Sequence, residues 1–164
     1  MNFKNNKGFG LLEVVVATAI ISISLYALTA VSQIAFRVIS ENVIEAQAEF
    51  LSEEGIEVAR SMRDLSWSTH LATTAAQAVF YPEFNVISSE WYLSPTSTGA
   101  IDGIFERTLI VENVYRDSTS QDIVPATSTD AVLDPKTKLI TSQVEWGGGA
   151  SLEIKTYITD LFGN

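Results

Sequence analysis

Between Phe9 and Phe36 the chain runs for 28 residues with one charge, Glu13, and no proline. As a helix, at about 1.5 Å per residue, such a run reaches roughly 42 Å, more than the roughly 30 Å of a bilayer's hydrocarbon core. Its Leu, Ile, Val and Ala content suits lipid, so a membrane-spanning helix is predicted. Beyond Arg37 the sequence turns polar without a helix breaker. Ile44, Ala48, Leu51, Gly55, Val58, Met62 and Leu65 recur at alternating steps of four and three, one apolar stripe along a helix. Glu41, Glu45 and Glu49 recur at steps of four on another side, with Glu53, Glu54 and Glu57 adding charge. One helix from about Phe9 to about Trp67 is therefore expected, on the order of 90 Å long. Gly55 sits on the apolar stripe, where a missing side chain lets another backbone approach closely.

The C-terminal part changes period. Ser68 to Gly99 reads as a connection: Ser68-Thr69-His70 and Thr73-Thr74 look like loop, Pro82 argues against an interior strand, and Ser88 to Leu93 fits a short strand. Ile104 to Tyr115 places Phe105, Leu109, Val111 and Tyr115 on one face, and Leu139 to Trp146 aligns Ile140, Val144 and Trp146. Ser151 to Ile158 continues with Leu152, Ile154 and Ile158, and Gly147-Gly148-Gly149 supplies a hairpin turn that needs positive φ. Arg116 to Lys138 reads as a loop rich in Asp, Ser and Thr. An α+β architecture follows: an antiparallel sheet of three or four strands covered by the stripe from Ile44 to Leu65.

Ahead of the apolar run lies the polar segment Met1 to Gly8 with Lys4 and Lys7; the far end passes from Arg37 into Glu41 and Glu45. The positive-inside rule then puts the N-terminus in the cytoplasm and the rest outside. A secretory signal has an apolar core of about 7 to 15 residues, so this longer run is expected to stay with the mature protein. Glu13 stands out, because an acidic side chain at the centre of a membrane span costs about 2.5 to 3.5 kcal/mol on insertion scales. Nearer the end it costs less, but it still calls for a partner. No basic residue lies within a turn C-terminal to it, which directs attention to another molecule.

The stretch Lys7-Gly8-Phe9-Gly10-Leu11-Leu12-Glu13-Val14-Val15-Val16-Ala17 resembles the processing site of type IV prepilins and type II secretion pseudopilins. In that family a short basic leader ends in Gly before Phe, a prepilin peptidase cuts between them and methylates the new amine, and the fifth mature residue is Glu. Gly8, Phe9 and Glu13 fall in that register. Gly10 stands where the family more often has Thr, and no proline interrupts the helix as it does in many major pilins. The resemblance implies a pilin-like fold: leader 1–8, a transmembrane and assembly segment 9–36, an amphipathic half 37–67, and a head 68–164. It also implies assembly with other copies or other pilins through the N-terminal helix, with an inner-membrane platform and an assembly ATPase as partners. The precursor would sit in the cytoplasmic membrane and the product in an extracellular filament. Cleavage creates a positive amine at Phe9 that is able to meet Glu13 of a neighbouring subunit in a low-dielectric setting.

Charge and composition narrow the alternatives. The net charge is −10, from 10 basic and 20 acidic residues, which argues against nucleic acid as the main partner. The absence of cysteine excludes a disulfide framework, a thiolate metal site and a Cys nucleophile. No nucleophile elbow, P-loop or dinucleotide fingerprint is present, and the lone His70 has no evident partner, so no catalytic or cofactor-binding residue is assigned. Several pseudopilins hold calcium in an acidic loop placed like Arg116 to Lys138. Asp117, Asp122, Asp130 and Asp134 are thus calcium candidates, although their spacing matches no EF-hand. Pilus, secretion pseudopilus and DNA-uptake filament all stay open, as does main or minor status. A membrane-anchored binding protein that never polymerises is the alternative of another class.

Overall fold

A computed structural model of the protein describes residues 10–75, 77–97 and 99–163. The chain divides into two compact units, Met1–Ile44 and Glu45–Asn164. A helix, α1, runs from Leu11 to His70 through both. Ser66, with φ −169° and ψ 111°, has extended backbone and breaks α1 one turn before its end. The helix expected from about Phe9 to about Trp67 is therefore found over its described length.

In the second unit six strands follow: β1 Gln77–Asn85, β2 Glu90–Ser94, β3 Phe105–Asp117, β4 Ile123–Val124, β5 Ala131–Trp146 and β6 Ala150–Thr159. Five of them make one antiparallel sheet in the order β2-β1-β3-β5-β6, and β4 pairs with the end of β3. The sheet is larger than the three or four strands the alternation predicts. Within the connection expected from Ser68 to Gly99, the short strand expected at Ser88 to Leu93 is found as β2, and β1, which was not expected, pairs with it as a hairpin. Pro82 lies inside β1, where the ladder to β3 has already ended at Phe80 and only β2 is alongside. The missing N–H therefore breaks no bond to the central strands.

The expected loop from Arg116 to Lys138 is also partly strand. Asn113 pairs with Lys138 but Val114 pairs with Asp134, so Pro135, Lys136 and Thr137 bulge out of the ladder. Proline has no ladder donor, and a bulge is where a strand tolerates one. The Pro135 carbonyl accepts the Trp67 indole N–H at 3.3 Å, and the Lys136 carbonyl accepts the Asp160 N–H at 2.8 Å. The register change moves the inward face of β3 by one residue: Phe105, Leu109 and Val111 are buried as expected, but Val114 takes the place assigned to Tyr115. Trp146, expected inward, is half-buried and tilts against Phe105 at 6.3 Å. Between β5 and β6, Gly147, Gly148 and Gly149 all have positive φ, the three-residue turn the sequence calls for.

The core of this unit joins Ile56, Ala59 and Trp67 of α1 to Leu71, Leu109, Val111, Ile140 and Ile158. Ala48, Gly55, Val58 and Met62 of the expected stripe are buried, but Leu65 is 53% exposed and Leu51 half-buried. Ser52 is buried in place of Leu51 and Ala59 is buried beside Val58, each one position further along, and the same advance would bring Ser66 inward, where the helix breaks. A strict 3.5-residue stripe drifts on a helix of 3.6 residues per turn, which accounts for the change. Gly55 is where the sheet comes closest: a methyl added there would collide with Ser142 Oγ and lie 3.1 Å from its Cβ. Beside it the Ser52 hydroxyl donates to the Ser142 carbonyl at 3.0 Å.

Candidate functional site

In the first unit α1 begins at Leu11, just after Gly10. The Gly10 carbonyl accepts the Glu13 N–H at 3.0 Å and the Val14 N–H at 3.3 Å, closing the first turn. Gly8 and Phe9, the expected cleavage pair, lie outside the described residues. Glu13 stands on this first turn, exposed and without an ion pair among the described residues. A negative side chain there is favoured by the partial positive charge of a helix N-terminus. Gly10, Leu12, Val16, Ala17 and Ile20 form a shallow apolar hollow around it.

As far as Phe36 the helix is mostly apolar and uncovered. Its most hydrophobic 18-residue window has no buried residue, and Val16, Ile20, Ile23 and Ile34 are each at least half exposed. Such a surface is unstable in water and suited to lipid or to other apolar helices. Its polar side chains are consistent with that. The hydroxyls of Thr18, Ser22, Ser24, Thr29 and Ser32 donate to carbonyls three or four residues back, at 2.7 to 3.0 Å. Each is satisfied within its own helix and needs no water.

The other candidates do not converge. Asp117 Oδ1 accepts the N–H groups of Thr119 and Ser120 at 2.8 Å, and these bonds hold its carboxyl below the ordinary value. Asp134 pairs with Arg116 Nε at 2.7 Å and accepts the Lys136 N–H at 2.9 Å. Burial pushes Asp134 up, but hydrogen bonds from Arg116, Thr137 and Lys136 outweigh it and leave the pKa lowered. Among the described residues no three His, Cys, Asp or Glu come together as a metal would require, so Asp117, Asp122, Asp130 and Asp134 form no ligand cluster. His70 lies in the last turn of α1, not in a loop, with Nδ1 3.0 Å from the Ser66 carbonyl.

Two inward cations share the parity of the apolar residues that the alternation turns inward, Arg107 with Phe105 and Leu109, and Lys138 with Ile140 and Val144. Arg107 sits between Phe105 and Leu109 on the buried face of β3. It pairs with Glu54, donates to the carbonyls of Leu51 at 3.3 Å and Pro82 at 3.4 Å, and lies 5.4 Å over the Trp91 ring. It ties α1, β1 and β2 together. Lys138 is buried, donating to Asn113 Oδ1 at 2.6 Å and the Thr74 carbonyl at 3.5 Å, and desolvation lowers its pKa.

Residues 3–28 match the family model of the prokaryotic N-terminal methylation motif. No curated protein and no solved structure gives a match. The match covers Gly8, Phe9 and Glu13 together with the start of the apolar helix, and it is the prepilin motif of type IV pilins and pseudopilins. That motif stands at the start of a long apolar helix that leads to an antiparallel sheet, an α+β arrangement like that of type IV pilins.

Proposed function

We propose that this chain is a structural subunit of a type IV pilus-like filament, released from its leader between Gly8 and Phe9 and assembled through its N-terminal helix. The observation that carries the reading is the methylation motif at residues 3–28, in register with Glu13 on a helix whose apolar surface is uncovered. Before cleavage the membrane covers that surface, with the N-terminus in the cytoplasm and Lys4 and Lys7 on the inner side. A prepilin peptidase removes Met1 to Gly8 and methylates the Phe9 amine. An inner-membrane platform and an assembly ATPase then move the subunit into a growing bundle at the cell surface, where neighbouring helices replace lipid.

Glu13 supplies the register. In the bundle its carboxylate meets the Phe9 amine of an adjacent subunit, a charge-assisted contact strengthened by the low dielectric around it. A subunit out of register leaves the carboxylate buried without a partner, which is costly. Glu13→Ala is therefore expected to remain in the membrane and be processed, yet to be depleted from filaments sheared off the cell. Equal recovery of that variant and the parent from the sheared fraction would exclude the pairing.

A further inference from the structure

The charges flanking the apolar run repeat at one interval. Arg37 follows Phe9 by 28 residues, and Glu41 follows Glu13 by the same 28. On parallel helices, any displacement that brings the Phe9 amine of one copy to Glu13 of another also brings Arg37 to Glu41. In a straight helix the shift is four residues, roughly 6 Å along the axis. Twenty-eight residues are four heptads, so both pairs fall on one seam if the helices wrap with the left-handed supercoil of a 3.5-residue repeat.

The residues between the two pairs fit that seam. Stepping by sevens from Phe9 gives Val16, Ile23 and Ala30 before Arg37; stepping by sevens from Glu13 gives Ile20, Ala27 and Ile34 before Glu41. One row is thus cationic at both ends, the other anionic at both ends, and both are apolar between. Thr18, Ser22, Ser24, Tyr26, Thr29, Ser32 and Gln33 all fall off both rows.

Arg37 and Glu41 are exposed in α1, and among the described residues Arg37 makes no ion pair. They stand one turn apart on the same helix, but Arg preceding Glu by four is the weaker orientation of such a pair.

Resting on the filament reading above, we infer that Arg37 of one copy docks on Glu41 of a second, parallel copy of this chain, closing the outer end of the seam that the Phe9 amine and Glu13 close at the other. The two rows differ, so the contact is heterologous. Because it also carries an axial shift of four residues, a contact of that kind repeats head to tail as an open helical filament and does not close into a ring.

The chain has no cysteine, so introduced thiols are unique. The test co-expresses full-length Arg37→Cys and Glu41→Cys variants, oxidises sheared filaments, and separates them without reductant. A cross-linked dimer is expected from mixed filaments and from neither variant alone, because a disulfide needs Cα atoms within about 7 Å. In parallel, Arg37→Glu and Glu41→Arg are each expected to lower incorporation roughly tenfold, the factor set by about 1.4 kcal/mol of lost contact. The exchanged pair Arg37→Glu/Glu41→Arg should recover it. Mixed filaments that contain both Cys variants and give no dimer overturn the inference while leaving the filament reading intact, as do single reversals that assemble like the parent. Absence of the parent chain from sheared filaments overturns both.

Discussion

Gly55 shows how one missing side chain sets a distance. Helix propensity favours alanine over glycine by about 1 kcal/mol, so on an isolated helix Gly55→Ala would stabilise. Here the added methyl meets Ser142 in β5, and overpacking of that kind costs typically about 1 to 3 kcal/mol. The steric cost should win, and Gly55→Ala is expected to lower the denaturation midpoint of the detergent-solubilised chain; an unchanged or raised midpoint would show that the strand yields. Arg107 makes the converse case, since its side chain is almost wholly buried and its partners depend on it. Arg107→Ala strips a charge-assisted bond from Glu54 and donors from the Leu51 and Pro82 carbonyls. A loss of about 2 kcal/mol is expected in the same assay. The two residues differ in legibility. Gly55 announces itself within an apolar stripe, whereas Arg107 shares the inward parity of Phe105 and Leu109, and its partners become visible only when β1, β2 and α1 converge on it.

Among the elements, those with a long, regular period were legible and those shaped by a single local event were not. The apolar run and the stripe beyond it each repeat often enough to define α1, and three glycines mark the turn between β5 and β6. The short strand β2 was legible, but β1 was obscured by Pro82, whose effect depends on which neighbour lies on each side of the strand. The early half of β5 was obscured by Pro135, because its sequence reads as loop unless a bulge carries it past β3. That bulge brings Asp134 to Arg116, and the pair has a pH consequence. Asp134 is held below its ordinary value in the fold, so its contribution is present above the unfolded carboxylate pKa and lost as pH falls through the folded one. Acid unfolding of the detergent-solubilised chain should therefore be shallower for Asp134→Asn than for the parent, with the difference confined to pH below about 4. Parallel acid curves for the two proteins would assign the sensitivity to other carboxylates.

At the scale of the whole molecule, the functional signal lies at the N-terminus and the head supplies a stable body. The methylation motif at residues 3–28 was legible because its residues keep fixed offsets along the chain; in the proposed assembly those offsets create the Phe9 amine where a Glu13 carboxylate reaches it. The calcium candidates carry no such fixed register, since acidic residues spread over a loop acquire meaning only when folding brings them together; in the fold Asp117 accepts backbone N–H groups and Asp134 pairs with Arg116. Intact-mass and N-terminal analysis of the chain recovered from sheared surface filaments and from membranes of the native host tests the central claim most directly. The account expects a mature chain that begins at Phe9, carries a methylated amine and is present in the sheared fraction. An uncut chain confined to the membranes of a host with active peptidase would contradict it and identify an anchored protein that does not polymerise.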